Sequence, residues 1–157
     1  MGSVHTQAPV FGKLDTNVAL ARFCNNFSSM LASGVPILQA LDIVGSTSGN
    51  YVIDSSSKRV GRLVERGYRL ADSMSTEKIF PNMLVQMVAI GEDSGAIDKM
   101  LSSAGRAYDE EAQSMAKQLT SLLEPLMILF LGVVVGFMVV ALYMPMFSMF
   151  DAINGQA

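Results

Sequence analysis

LLEPLMILFLGVVVGFMVVALYMPMF occupies residues 122–147. Beyond Glu124 the uncharged run extends from Pro125 to Phe150, 26 residues in all. A bilayer core of about 30 Å is crossed by about 20 apolar residues in helical form. A soluble helix this long would keep a polar side for water, and this stretch has none. It therefore reads as one transmembrane helix over residues 122–143. It lies near the C-terminal end of the sequence, so it is not a signal peptide.

Working outward, Lys99, Arg106 and Lys117 precede the span and no basic residue follows it. The positive-inside rule then puts the preceding domain in the cytoplasm and the short tail, 144–157 with Asp151, outside. Residues 1–124 hold all 11 basic and 13 of the 14 acidic residues. That slightly acidic balance gives no case for nucleic acid. The single cysteine, Cys24, rules out an internal disulfide and falls in an apolar helical pattern, as a buried thiol does. The only histidine is His5, in a tail beginning Met1-Gly2-Ser3 that has the look of an expression scar. With that lone histidine in a tail, Ser-His and Cys-His catalysis have little to work with.

No segment alternates with a period of two, and the fold class is all-α. Six helices are predicted in a cytoplasmic bundle over residues 16–121, after an irregular segment 1–15. Leu20, Phe23, Phe27, Met30 and Leu31 give the first a single buried face. Gly34 caps it and Pro36 opens the second at its first position, about 36–44. The third covers about 51–66, the fourth about 69–74. A polar link, 75–78, leads to Phe80-Pro81 and the fifth. Ile97, Leu101, Ala104, Tyr108, Met115, Leu119 and Leu122 keep one stripe along the sixth. No Gly-Pro stop follows, so this helix continues into the membrane span, about 70 Å over some 48 residues.

Between helices five and six lies Gly91-Glu92-Asp93-Ser94-Gly95. Gly91 suits the end of one helix, and Ser94 or Asp93 the N-cap of the next. Glu92 and Asp93 then support the positive helix end, or face a partner. Paired carboxylates act as acid and base when they flank a pocket, and nothing in the sequence converges on these two. No metal site or cofactor is expected. Arg59, Arg62, Arg66 and Arg69 are spaced to share a helix face. They form a solvated face with Glu65 and Asp72 as local partners, or a patch for an acidic protein or lipid surface. Asp109, Glu110 and Glu111 are a solvated acidic run, or the counterpart of that stripe in a neighbouring copy, favouring oligomers. Gly132 and Gly136 allow close helix packing in the membrane, within one protein or between two. Met138, Met144, Met146 and Met149 give a soft, adaptable surface that faces lipid or an apolar partner helix.

SGVPILQALDI (33–43), Phe80-Pro81, AIGEDSGAIDKML (89–101), the run from Tyr108 to Glu111 and the Glu124-Pro125 pair before the span carry a resemblance. In this order and spacing they resemble the type II secretion system F-protein family, which includes the platform proteins of type IV pilus biogenesis. The resemblance covers about residues 10–153. It implies two related cytoplasmic helical domains and three spans in a complete member, of which this chain looks like the C-terminal half. It implies an inner-membrane platform that is not an enzyme. Its partners would be a cytoplasmic assembly ATPase, pilin or pseudopilin subunits and other inner-membrane assembly proteins. The sequence contains no phosphate-binding GxxxxGK[ST], so the ATPase is another chain. The alternative reading is a tail-anchored adaptor for a soluble partner.

Overall fold

Residues 9–155 are described by a computed structural model. The helical periodicity becomes six helices: α1 (Pro9–Ala32), α2 (Ile37–Thr47), α3 (Tyr51–Glu65), α4 (Leu70–Ser75), α5 (Asn82–Ser94) and α6 (Ile97–Asn154). Among the described residues there is no strand. The chain divides into a bundle ending at Met115 and a second unit from Ala116 onward, with α6 contributing to both.

The bundle closes around α1. Phe23 and Phe27, one turn apart, are fully buried with ring centroids 5.6 Å apart. Phe80, from the link before α5, brings its ring to 5.4 Å from Phe23. Tilted aromatic pairs of this kind add about 0.5–1.5 kcal/mol beyond the area they bury. Leu41, Ile53, Met74, Leu84 and Leu101 bring α2 through α6 onto the same core.

Three glycines let helices touch through their backbones. A Cβ on Gly45 would stand 2.8 Å from Ser57 Cβ, which presses α2 on α3. One on Gly105 would overlap the Asn25 side chain. One on Gly91 would stand 2.8 Å from the Ile97 Cα.

That last contact corrects the reading of the 91–95 segment. α5 does not stop at Gly91 but runs on to Ser94, because a residue without a side chain at 91 lets the chain fold back over it. Gly95, with φ +70°, makes the reversal, and Ala96 N–H donates to Gly91 O at 2.8 Å. Ser94 Oγ donates to Ile90 O and Asp93 turns to Arg69, so neither caps α6.

Other boundaries shift for local reasons. Residues 9–15 are helical rather than irregular, since Pro9 fits a helix start and Thr16 Oγ1 bonds back to Gly12 O. Residues 1–8, including His5, lie outside the described residues. Gly34, at φ +83°, ends α1 as expected, but Pro36 is the N-cap of α2 and Ile37 its first residue. α2 continues through Gly45, whose packing against Ser57 favours the helix, and the turn moves to Gly49 at φ +77°. Asn50 caps α3 by accepting from Val52 N and Ile53 N.

In the second unit α6 passes through Pro125 and Pro145 without a break and reaches Asn154. Each proline removes one backbone bond, while helix on both sides keeps the ladder going. The segment 144–154, read as the short tail, is thus the last part of the helix. All side chains from 121 to 155 are exposed, and α6 is long and apolar enough to cross a membrane.

Gly91→Ala is expected to destabilise the bundle by about 1–3 kcal/mol through overpacking. Gly95→Ala should cost about 1–2 kcal/mol through its left-handed backbone. Denaturant unfolding of the chain in detergent measures both; an unchanged midpoint for Gly91→Ala would show that α6 can move away from α5 freely.

Candidate functional site

The four arginines expected on one face are parted by the end of α3. The helix stops at Glu65, Arg66 is its C-cap, and Gly67 at φ +91° turns the chain away. Arg69 thus stands outside that helix, as the N-cap of α4. Its Nη2 donates to Asp93 Oδ1 at 2.5 Å, and its Nε lies 3.8 Å from Glu92 Oε2. Glu92 does more. Its Oε1 accepts from Leu70 N at 2.7 Å and its Oε2 from Ala71 N at 2.9 Å. Glu92 does support a helix start, but it is that of α4, reached across space, and not that of α6, while Asp93 only pairs with the Arg69 side chain.

Arg59 is held at the other end of α4. Its Nε and Nη2 donate to the two oxygens of Glu77 at 2.7 and 2.6 Å. Ser56 Oγ donates to Glu77 Oε2 at 2.8 Å. The hydrogen bond from Arg59 holds the Glu77 carboxyl below the usual glutamate range, against the opposing pull of burial, and Ser56 assists. Among the described residues the expected local partners Glu65 and Asp72 form no ion pair; those places are taken by Glu77, Asp93 and Glu92. Arg62 and Arg66 are exposed and pair with no carboxylate among the described residues.

Glu77 was hidden in a polar link. Ionic pairing across 18 positions leaves no periodic trace, so only the presence of an acid in a short turn hinted at it.

The remaining candidates lie apart from these clasps. Asp109 accepts from Asn25 Nδ2 at 2.9 Å, tying the acidic run to α1, while Glu110 and Glu111 are exposed. Cys24 is buried, and burial, with the Asp109 charge, pushes its thiol up to about 12, so it is unreactive as a nucleophile. Burial likewise pushes Tyr108 up to about 12, with the Cys24 and Glu111 charges adding. Glu124, Pro125, Gly132 and Gly136 lie on the exposed part of α6, and a Cβ on either glycine would meet nothing within 4 Å.

A helical bundle whose last helix is long and apolar enough to cross a bilayer, and whose α3, α4 and α5 are joined by ion pairs, has the make-up of a membrane-anchored scaffold. The family model for type II secretion system (T2SS), protein F, matches residues 23–145, taking in most of the bundle and the apolar stretch. The chain belongs to this family. It is 40% identical over 146 residues to the type IV pilus assembly protein PilC of Pseudomonas aeruginosa, covering 93% of this chain and 39% of that protein. It is 45% identical over 141 residues to the type 4 fimbrial assembly protein PilC of Pseudomonas putida, covering 90% and 35%. The type II secretion system protein F of Pseudomonas aeruginosa is 31% identical over 143 residues, covering 91% and 35%. The chain thus spans between 35 and 39% of the length of such relatives.

Glu92→Ala is expected to cost about 1–3 kcal/mol, since two amides lose a charged acceptor. Asp93→Ala, at an exposed ion pair, should cost less than about 1 kcal/mol. Equal effects in an unfolding titration would refute the cap. A second expectation concerns pH. Because the folded Glu77 has a depressed pKa, its contribution is present above the unfolded glutamate range and is lost as pH falls through the folded value. Glu77→Gln should therefore lower stability at neutral pH and flatten its decline in acid. An acid limb of unchanged slope would count against the Arg59 clasp.

Proposed function

We propose that the chain is part of a non-enzymatic platform in the bacterial inner membrane for assembling type IV pili or type II secretion pseudopili. The observation that carries this is the family match across bundle and span together, with relatives named for pilus assembly and for type II secretion. In this reading the bundle lies in the cytoplasm and engages an assembly ATPase. The apolar part of α6 lies among pilin or pseudopilin helices and other inner-membrane assembly proteins.

The chemistry of the bundle agrees with a coupler. Three of its charged contacts hold helix ends: Glu92 that of α4, Arg69 with Asp93, Arg59 with Glu77. Such contacts pass a change of position from one helix to the next. Arg66, Glu110 and Glu111 remain exposed for soluble partners. The tail-anchored adaptor gains no support from a family of pilus and secretion proteins.

Deletion of the gene for the complete parent should abolish surface pili or type II export while the assembly ATPase stays at its normal level. The purified parent in detergent should retain that ATPase above an unrelated inner-membrane control. Normal fibre assembly without the parent would overturn the reading.

A further inference from the structure

Every side-chain hydrogen bond that joins elements distant in sequence falls, among the described residues, into one of two sets. The first lies between α1 and α6. Asn25 Nδ2 donates to Asp109 Oδ2 at 2.9 Å, Ser28 Oγ to Asp98 O at 2.6 Å, and Asn17 Nδ2 to Met115 Sδ at 3.6 Å. Gly105 seats the Asn25 side chain, since a Cβ there would overlap it. The second set ties α3, α4 and α5 together: Arg59 and Ser56 bond to Glu77, Arg69 to Asp93, and Leu70 N and Ala71 N to Glu92. α2 joins this second group without a hydrogen bond, by the close packing of Gly45 on Ser57.

No such bond and no ion pair crosses from one set to the other among the described residues. What crosses is apolar. Phe23 of α1 rests against Phe80, in the link between α4 and α5, with ring centroids 5.4 Å apart. α5 and α6 also touch where Ile97 packs on Gly91, but that contact sits at the corner turned by Gly95, where α6 begins. The two kinds of contact behave differently. A hydrogen bond has a preferred distance and angle and weakens steeply away from them, so it holds two helices in one register. Apolar burial has no direction and tolerates tilting. Groups of elements bound more firmly within themselves than to each other open as separate cooperative units.

We infer that the bundle opens as two bodies, α1 with α6 as far as Met115 in one and α2 to α5 in the other, parting at the Phe23–Phe80 contact. The chain passes between the bodies at Gly34 and at Gly95, both with left-handed backbones, φ +83° and +70°. These two turns are the pivots. α6 continues past Met115 as one helix, so a displacement of α6 carries α1 along and leaves the clasps on α4 closed. This division goes beyond the platform reading and stands without it.

The test is hydrogen exchange, read by mass spectrometry, on the complete parent in detergent at low denaturant concentration. Asn25→Ala should speed exchange about fivefold in α1 and in α6 as far as Met115, and leave α3, α4 and α5 unchanged. Arg59→Ala should do the reverse, with about fivefold faster exchange in α3, α4 and α5 and none in α1 or α6. A short bis-maleimide joining Asn17→Cys to Met115→Cys closes the α1–α6 seam. It should restore the protection that Asn25→Ala removes from α1 and α6, without slowing exchange in α4. Acceleration throughout the bundle by either variant, a response confined to one helix, no response to either, or a cross-link that protects α4 as strongly as α1 would overturn the division.

Discussion

A six-residue helix cannot hold itself together in water, and α4 has no side-chain cap of its own. The carboxylate of Glu92 supplies what is missing. It accepts from the first two amides of α4, and Arg69, which introduces that helix, sits beside it. The placement of α4 then sets the placement of Leu70 and Met74 in the core. At the far end Glu77 is gripped by Arg59 and Ser56 from α3, and Phe80 follows three residues later to close on Phe23. One acid thus links α5 to α4, and through α4 the two halves of the bundle.

Much of this was legible in the residues. The helical stripes of α1 and α6, the glycine stop at Gly34 and the uncharged run after Pro125 each depend on neighbours close in sequence, where period and composition carry the information. The boundaries that moved depend on contacts made through space. Gly91 looks like a helix stop until Ile97 packs on it, and Gly45 looks like a turn until Ser57 does. The arginine spacing promised one face, but a glycine at 67 with a left-handed backbone parted Arg69 from the rest. For Glu92 and Asp93 the sequence offered a helix end to support; the structure keeps that role for Glu92, at a different helix, and gives Asp93 the Arg69 side chain instead.

The two kinds of arginine differ in consequence. Arg59 and Arg69 hold carboxylates on other elements, so their charge is satisfied within the domain, at its surface. Arg62 and Arg66 keep theirs for the outside. The Arg59–Glu77 pair, whose carboxylate is mostly covered, is screened less by salt than the Arg69–Asp93 pair, whose carboxylate is exposed. The two ends of α4 therefore respond to ionic strength in different degrees.

Cys24 has a practical value that follows from its position among Phe23, Phe27 and the α6 helix. It is the only cysteine, it is buried, and its thiol is poorly ionised. Maleimide chemistry in the folded protein passes it by, so cysteines introduced on the surface can be labelled without first replacing it. The same thiol becomes reachable when α1 leaves the core. Its slow modification in an otherwise cysteine-free chain is a built-in clock for the opening of the bundle, readable in the membrane without any engineered probe.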